Sequence, residues 1–349
     1  MKKVLVAMSG GVDSSVAAAL LIKEGYEVSG GTFIHFGEDG KDSVESQNAK
    51  KVCDCLGITH YVFDVRKIFK EKVIYNFARE YDKGFTPNPC IECNKYIKFG
   101  AFLDEAIKLG FDFIATGHYS SVNTEADGQK VLVRPLDLKK DQTYVLWQLS
   151  KEQLSHILMP LGDYEKEDVR KIAQELNLPC AVSKESQDIC FVPDKDYGAF
   201  LEKYNSAPFE KGKYLDVGGN FLGENKGHQH YTIGQRKGLG IALGRPQFVI
   251  SKDPISNSVV LGDEELLFKT KVVIEDVNIM WGKDKAHEFE CTAKLRYSAK
   301  DSPCRYYPLG ENRAMLEFAE PQRAASPGQS AVFYDGDKVI GGGKIIRSE

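Results

Sequence analysis

The chain has 349 residues, a length that usually distributes over about two or three domains. Hydrophobic residues make up 42% and charged residues 28%, which excludes collagen-like, disordered and membrane-embedded proteins. The 46 lysines and arginines are outnumbered by 50 aspartates and glutamates, so no global positive charge marks a nucleic-acid ligand. Any polyanion must therefore be bound by local basic clusters.

The absence of targeting signals bears on both the cellular location and the role of the cysteines. No apolar run approaches the ~18 residues of a membrane span, and the N-terminus lacks the apolar core of a signal peptide. We therefore expect a cytoplasmic protein without a membrane partner. The eight cysteines of such a chain do not suggest a disulfide framework, so metal, redox or nucleophilic roles are open for some of them.

The first 120 residues alternate strand and helix patterns. Strands are predicted at 4–8, 27–34, 59–64 and 111–116, and helices at 16–24 and 44–56. This alternation is typical of a doubly wound parallel sheet in an α/β fold. Further helices are predicted at 68–81, 96–108 and 165–176, and two prolines keep residues 86–89 out of helix.

The character of the sequence changes after residue 204. Glycine becomes frequent, which predicts a small β-rich central domain over 205–265. Short strand-like runs at 271–274, 291–297, 314–318, 330–334 and 338–340 predict a C-terminal β-barrel over 266–349. The first domain then covers 1–204, and the three domains are unlike one another.

A glycine-rich turn at 9–15 separates the first strand from the first helix. Glycine lets the backbone approach an anion, and the amides and dipole of a helix N-terminus favour phosphate. Asp13 would repel phosphate unless it held Mg²⁺. The turn lacks the lysine of a Walker A motif, which argues against γ-phosphate transfer.

Two cysteines lie three residues apart on a proline-stiffened loop that enters a predicted helix. A helix N-terminus lowers the pKa of a thiol, and Lys95 adds positive charge beside Cys90 and Cys93. Cys190 follows the polar residues 183–187, so we predict that it lies in a loop. The remaining thiols are interpreted as separate buried cysteines; they are Cys53, Cys55, Cys180, Cys291 and Cys304.

The turn at 9–15 resembles the pyrophosphatase loop of N-type ATP pyrophosphatases, which cleave ATP between its α- and β-phosphates. With the other motifs, nearly the whole chain resembles the MnmA family of tRNA 2-thiouridylases. The motifs that carry this resemblance lie at 9–15, 86–89, 93–95, 115–119, 140–142, 189–191, 234–241, 296–297 and 326–334. Several independent motifs in one order make it specific.

The resemblance implies ATP and Mg²⁺ as cofactors and assigns three sets of residues. Cys93 and Cys190 are the implied catalytic pair, with a persulfide on Cys190. The implied ATP-binding residues are Ala7, Met8, Ser9, Gly10, Gly11, Val12, Asp13, Ser14, Phe33 and Gly117. The implied tRNA-binding residues are Asn88, Pro89, Cys90, His118, Lys140, Asp141, Gln142, Arg296, Tyr297 and Gln329.

The reaction implied by the resemblance is 2-thiolation of the wobble uridine in tRNAs for Lys, Glu and Gln. ATP adenylates the C2 oxygen of the base, and sulfur then displaces AMP. The implied sulfur donor is a cysteine desulfurase or a relay protein. The local cations available to a phosphate backbone are Lys139, Lys140, Arg236, Lys237, Arg245, Lys294, Arg296, Lys300 and Arg305.

Two positions depart from the family pattern. Cys90 stands where many members have aspartate, so Cys90, Cys93 and Cys190 could together hold a [4Fe–4S] cluster in place of the persulfide route. Phe33 stands where methionine often contacts adenine. Two other functions stay open: a small-molecule adenylating synthetase that shares only the loop, and an iron–sulfur or tRNA-binding protein without turnover.

Overall fold

The computed structural model describes residues 1–36, 43–182, 189–192, 196–204 and 208–349. In chain order, its strands and α-helices are β1 (Lys3–Ala7), α1 (Val12–Lys23), β2 (Glu27–Ile34), α2 (Val44–Leu56), β3 (Thr59–Asp64), α3 (Arg66–Phe69), α4 (Tyr75–Asp82), α5 (Pro89–Cys93), α6 (Phe102–Lys108), β4 (Phe113–Ala115), β5 (Ser121–Thr124), β6 (Lys130–Val133), α7 (Lys151–Ser155), β7 (Ile157–Leu158), α8 (Lys166–Glu175), α9 (Tyr197–Tyr204), β8 (Gly212–Leu215), β9 (Phe221–Asn225), β10 (Phe248–Asp253), β11 (Ser258–Gly262), β12 (Phe268–Ile279), β13 (Phe289–Lys294), β14 (Ser302–Gly310), β15 (Arg313–Arg323), β16 (Ser330–Asp335) and β17 (Lys338–Ser348).

The chain divides into two compact units. Unit 1 consists of Met1–Val73, Cys90–Gln187 and Gly336–Val339, and unit 2 consists of Ile74–Pro89, Asp188–Asp335 and Ile340–Glu349. The predicted three-domain division stays a prediction, and its first boundary adjoins residues 205–207, which lie outside the described residues. Within the described ranges, no helix has the length and apolar character that a membrane crossing requires.

Unit 1 contains the parallel sheet that the sequence predicts. Its strands lie in the order β3-β2-β1-β4-β7, and all four pairings are parallel. Val4, Leu5 and Val6 of the central strand are fully buried, because both faces of a parallel sheet are covered. The α/β fold class is confirmed.

The strand order determines where unit 1 can bind a ligand. From β1 the chain moves outward to β2 and β3, and it then returns to β4 on the other side of β1. A crevice forms where the strand order reverses, outside the carboxyl ends of the strands. The loops after β1 and β4 therefore share this edge of the sheet.

Two predicted helices differ in internal geometry. Residues 68–81 form α3 and α4 with a π-helical segment, Lys70–Ile74, between them. The helix predicted at 96–108 starts earlier, at Pro89, and contains the π-helical segment Asn94–Ala101. Proline is favoured at the first helical position because its missing N–H would be unpaired there. A π-helix has a wider turn than the 3.6-residue period that predicts helices, so the sequence pattern did not reveal it.

Unit 2 contains two β-structures. The smaller sheet has the order β10-β11-β8-β9, and its core consists of Tyr214, Tyr231, Val249, Val259 and Leu261. The larger sheet has eight strands in the order β12-β15-β14-β13-β16-β17-β6-β5, and β5 and β6 belong to unit 1. Antiparallel pairing of β12 with β17 closes its first six strands into the predicted barrel. The sequence missed β14, since Pro303 and Pro308 argue against a strand.

Candidate active site

The loop after β1 presents an uncapped helix N-terminus. Gly11 occupies the N-cap position of α1, and no side chain caps its amides. Gly10 has a φ of +74°, and a Cβ there would lie 2.6 Å from the Cβ of Asn48, so only glycine fits. The Ser9 hydroxyl accepts from the Gly11 amide at 3.4 Å, and the Ser14 hydroxyl donates to the Gly11 carbonyl at 3.2 Å. The first turn thus offers the amides and hydroxyls that an anion site requires.

Asp13 is neutralised within the protein. The Lys166 ammonium lies 2.6 and 2.8 Å from the two Asp13 carboxylate oxygens, and the Tyr119 hydroxyl donates to the same carboxylate at 2.9 Å. Lys166 is buried at the start of α8. Lys166 therefore compensates the Asp13 charge within the protein, and the expected role of Asp13 toward Mg²⁺ stays a prediction.

The loop after β4 packs directly against the glycine-rich turn at 9–15, which we call the phosphate loop. A Cβ on Gly117 would lie 2.7 Å from both the Asp13 carbonyl carbon and the Ser14 amide nitrogen. Contacts this short do not occur between a real Cβ and backbone atoms, so residue 117 must be glycine while the two loops touch. The structure thus brings Gly117 beside Asp13 and Ser14 at the carboxyl edge of the sheet.

His118 is a buried, neutral histidine. Burial lowers its pKa well below the usual value, and the nearby Lys98 ammonium lowers it further. Lys98 donates to Nε2 at 3.4 Å, while Nδ1 lies 2.7 Å from the Thr116 hydroxyl. In this network His118 accepts from Lys98 and holds it beside the loop after β4.

An aromatic group lies at the end of β2. The rings of Phe33 and Phe102 meet edge to face at 4.8 Å, and Phe63 contacts Phe102 at 5.5 Å. A side chain on Gly31 would come within 2.6 Å of Phe102. Phe33 is half-buried, so it presents apolar surface at the carboxyl edge of the sheet.

Cys90 and Cys93 lie within the short helix α5 rather than in a loop. The side-chain amide of Asn94 donates to the Val145 carbonyl at 2.9 Å and fixes the end of this segment. Desolvation raises the pKa of the Cys90 thiol, and the Lys98 ammonium offsets part of the increase. Cys90 is exposed as a residue, yet desolvation at its sulfur shifts the thiol pKa in the direction opposite to the expected decrease. The cation that acts on Cys90 is Lys98, whereas Lys95 lies over the Tyr96 ring at 5.1 Å.

Cys190 belongs to unit 2 and is exposed beside a buried anchor. The Phe191 ring packs against Phe77 at 5.7 Å and Phe200 at 5.2 Å. This aromatic cluster holds the backbone at residue 190 while the thiol stays accessible. Residues 183–187, which supported the loop prediction, lie outside the described residues.

The five other cysteines were interpreted as separate and buried, and only some of them are. Cys53, Cys180 and Cys304 are buried, but Cys55 is exposed on α2. Cys291 and Cys304 are not separate, because they are opposite each other on β13 and β14 with their sulfurs 3.6 Å apart. Within the described part of the chain, no group of three His, Cys, Asp or Glu side chains forms a metal site.

Two predicted tRNA-binding residues have internal partners in unit 1. The Asp141 carboxylate is buried and accepts from the Thr143 amide at 2.9 Å. The Gln142 side chain accepts from the Tyr119 amide at 2.8 Å, so it braces the tyrosine that contacts Asp13. Lys140 is half-buried at the end of a 3₁₀ turn.

Unit 2 brings three other predicted residues to one cavity of about 260 Å³. Its lining residues are Thr86, Thr232, Arg296, Tyr297, Ser298, Ser326 and Gln329. The Arg296 guanidinium donates to the carbonyl oxygens of Ala324 and Ile233, and Gln329 donates to the Thr86 carbonyl at 2.6 Å. Asn88 and Pro89 belong to the same unit, two and three residues after Thr86.

Comparison with known proteins covers nearly the whole chain. The family described as tRNA methyl transferase HUP domain matches residues 2–194, its PRC-barrel domain matches 198–263, and an aminomethyltransferase β-barrel domain matches 269–345. A relative from Carboxydothermus hydrogenoformans, named tRNA-specific 2-thiouridylase MnmA, is 48% identical over 99% of this chain and 97% of its own length. One of the same name from Clostridioides difficile is 47% identical over 99% of both chains.

The chain belongs to the MnmA family. This confirms the resemblance stated from the motifs. The roles of individual residues stay predictions. The geometry adds Lys166 and Lys98, which lie outside the motifs, and gives Tyr119 of the 115–119 motif a partner. Lys166 and Tyr119 hold Asp13, and Lys98 holds His118. A basic residue at the start of a helix was the only sequence signal for Lys166.

The Asp13–Lys166 ion pair makes a testable contribution to nucleotide binding. In Lys166→Met the Asp13 charge is uncompensated beside the phosphates, so we expect ATP affinity to fall about tenfold or more. Lys171→Met is the matched control, because Lys171 lies on the same helix in an exposed pair with Asp168. Isothermal titration calorimetry measures the ATP affinity of both variants. Wild-type affinity in Lys166→Met would contradict the assigned role.

The influence of Lys98 on Cys90 can be measured as a pH profile. Because a cation lowers a thiol pKa, Lys98→Met should shift the alkylation midpoint of Cys90 to higher pH. At pH 8 less thiolate is then present and alkylation is slower. Lys95→Met serves as control and should leave the Cys90 profile unchanged. Mass spectrometry of iodoacetamide-treated peptides follows the rate, and equal shifts in both variants would refute the assignment.

Proposed function

We propose that the chain catalyses the ATP-dependent 2-thiolation of the wobble uridine of tRNA. The observation that supports this best is the close packing of the loop after β4 against the phosphate loop. Gly117 lies against Asp13 and Ser14, and the adjacent His118 accepts from Lys98, whose charge also lowers the pKa of the Cys90 thiol. A reaction that uses both ATP and sulfur needs a phosphate-binding loop and thiols, and unit 1 contains both.

The first step activates the base. The C2 oxygen of uridine is a poor leaving group, so it attacks the α-phosphorus of ATP and pyrophosphate departs. The amides of the first turn of α1 and the Ser9 and Ser14 hydroxyls are proposed to stabilise that negative charge, because no side chain caps this helix N-terminus. Lys166 keeps Asp13 from opposing it. Phe33 offers an apolar surface for the adenine ring.

Magnesium is proposed as a companion of ATP rather than as a metal that the protein holds by itself. Mg²⁺ neutralises phosphate charge, and it is commonly bound by one or two carboxylates together with the phosphates. The described residues of the phosphate loop offer one carboxylate, Asp13, and both its oxygens already contact Lys166. This set does not fit a protein-held magnesium site, so we derive no step through the metal.

The second step delivers sulfur from a persulfide on Cys190. In one route the Cys93 thiol attacks Cys190 Sγ, which forms a Cys93–Cys190 disulfide and releases sulfide that displaces AMP from C2. In the other, the terminal persulfide sulfur displaces AMP, and Cys93 then attacks Cys190 Sγ to free the thiocarbonyl. Both routes end in the same disulfide, which a cellular thiol must reduce by two electrons. Exposed Cys190 is open to a donor protein.

The substrates and partners follow from the same proposal. We propose tRNAs for Lys, Glu and Gln as substrates, and a cysteine desulfurase or a relay protein as the sulfur source, in the cytoplasm. In a chain of net charge −4, local cations must bind the RNA backbone, and Arg296 lies in a cavity lined by hydroxyl groups. Asn88, Pro89 and Cys90 are proposed to lie at the target base.

The test is a thiolation assay with unmodified tRNA, ATP and Mg²⁺, in which a cysteine desulfurase supplies the persulfide sulfur to the protein. Nucleoside mass spectrometry should detect 2-thiouridine with the wild type and with Cys55→Ala, which removes an exposed cysteine of α2. Cys190→Ala and Cys93→Ala should reduce it to background, because each removes one sulfur of the transfer.

Pyrophosphate release separates the two steps of the reaction. Cys190→Ala should still release pyrophosphate in the presence of tRNA, since adenylation precedes sulfur transfer. Absence of 2-thiouridine with the wild type would refute the proposed activity. Full thiolation by Cys190→Ala would refute the persulfide route, and bound iron with loss of activity in Cys90→Ala would favour the cluster.

A further inference from the structure

A closed loop of the smaller sheet has no role in the reaction described above. We call residues 234–247 the basic loop; they precede β10 in unit 2. The Gly234 amide donates to the Val249 carbonyl at 2.8 Å, and the Val249 amide donates to the Gln235 carbonyl at 3.0 Å. These bonds join the two ends of the loop, so it is a compact loop that leaves the sheet and returns to it at nearly the same point.

Alternate residues of the basic loop face opposite ways. Leu239, Ile241 and Leu243 pack against the core of the smaller sheet, and the Tyr214 hydroxyl donates to the Leu239 carbonyl at 2.6 Å. The intervening positions are exposed and small; they are Gly238, Gly240, Ala242 and Gly244. The outer face therefore presents backbone with almost no side chains on it.

These positions favour glycine because of their backbone conformation and not because neighbouring atoms leave no room for a side chain. Gly238, Gly240 and Gly244 have φ values of +74°, +71° and +73°. A Cβ at Gly240 or Gly244 would meet no atom within 4 Å, so the space above the loop is open. A ligand can approach the exposed amides of such a backbone closely.

The charge of the basic loop has one sign. Residues 234–247 include Arg236, Lys237 and Arg245 and no acidic residue. Neither Arg236 nor Lys237 pairs with a carboxylate in the ranges that the structure describes, and Arg245 makes an exposed pair with Asp263 at 3.2 Å. An exposed pair of this kind contributes little and can be exchanged for another anion. The two arginines and the backbone line a cavity of about 580 Å³.

The basic loop begins beside a residue already assigned to tRNA. The Arg296 guanidinium donates to the Ile233 carbonyl at 3.4 Å, and a Cβ on Gly234 would lie 3.5 Å from its Nη2 atom. Positive charge thus continues from Arg296 into the loop. The ligand that fits this surface is a chain of phosphates, since it carries repeated negative charge without apolar groups.

We propose that the basic loop binds the phosphodiester backbone of the RNA substrate, with Arg236, Lys237 and Arg245 at phosphates and the exposed amides of 238–244 beside them. This inference rests on the proposed function. Side chains that could read base edges are absent from the outer positions 238–244, so the contact is independent of RNA sequence. It anchors the tRNA on unit 2 while its target uridine reacts elsewhere.

The first test removes the two unpaired cations. We compare Arg236→Gln/Lys237→Gln with the control Lys211→Gln/Lys213→Gln, which removes two exposed charges from the same sheet. Fluorescence anisotropy measures the affinity of the full chain for unmodified tRNA across a salt series. The loop variant should bind about tenfold more weakly, and its salt slope should fall by about 1 for each lost phosphate contact. Equal affinity and slope in the two variants would overturn the inference.

A second pair of variants isolates charge from shape. Gly240→Asp and Gly240→Asn are nearly isosteric, and both residue types tolerate the left-handed conformation. If phosphate lies against this backbone, the aspartate variant should bind tRNA several-fold more weakly than the asparagine variant. Identical binding would contradict the proposal. Thermal unfolding of all variants verifies that they fold.

The thiolation assay distinguishes this inference from the proposed function. If the wild type forms 2-thiouridine and the loop variants bind tRNA normally, only the basic loop is misassigned. If the wild type forms none, the proposed function fails whatever the binding results. In a working enzyme, the loop variant should raise KM for tRNA and leave kcat unchanged. A loop variant with normal tRNA affinity but slow sulfur loading would assign the loop to the donor protein instead.

Discussion

The chemistry of unit 1 depends on the absence of a side chain at residue 117. The loops after β1 and β4 touch so closely that a Cβ there would lie 2.7 Å from two backbone atoms of the phosphate loop. This contact places Gly117 beside the first turn of α1, and the next residue, His118, accepts from Lys98. The strand order makes it possible, because β1 and β4 are neighbours that run in the same direction.

Charge compensation completes the arrangement. A carboxylate in the first turn of a helix is favourable for the helix but not for a bound phosphate. Lys166, which follows Asp13 by 153 residues, reaches both oxygens of that carboxylate from α8. The uncapped amides of α1 then remain the main electrostatic feature of this helix N-terminus. Unit 2 contributes its cations separately, at Arg296 and along the basic loop.

Local sequence patterns predicted the fold well, but they did not predict contacts between residues that are far apart in the sequence. The strand, glycine turn and helix at 4–24 carry their signals within one short segment, as do the strands of the barrel other than β14. Prolines hid β14, and a change of helical pitch hid the π-helical segment Asn94–Ala101. The partner of Asp13 is Lys166, which is remote in sequence, so composition and spacing could not reveal it.

The central claim is that ATP activates the C2 oxygen of the target uridine at the edge formed by the loops after β1 and β4. The most direct measurement uses tRNA that carries oxygen-18 at position 2 of this uridine. If sulfur displaces an adenylated oxygen, the label must appear in AMP, because the C2–O bond breaks and the P–O bond stays intact. Mass spectrometry of AMP formed together with 2-thiouridine gives the answer. Unlabelled AMP would contradict the account.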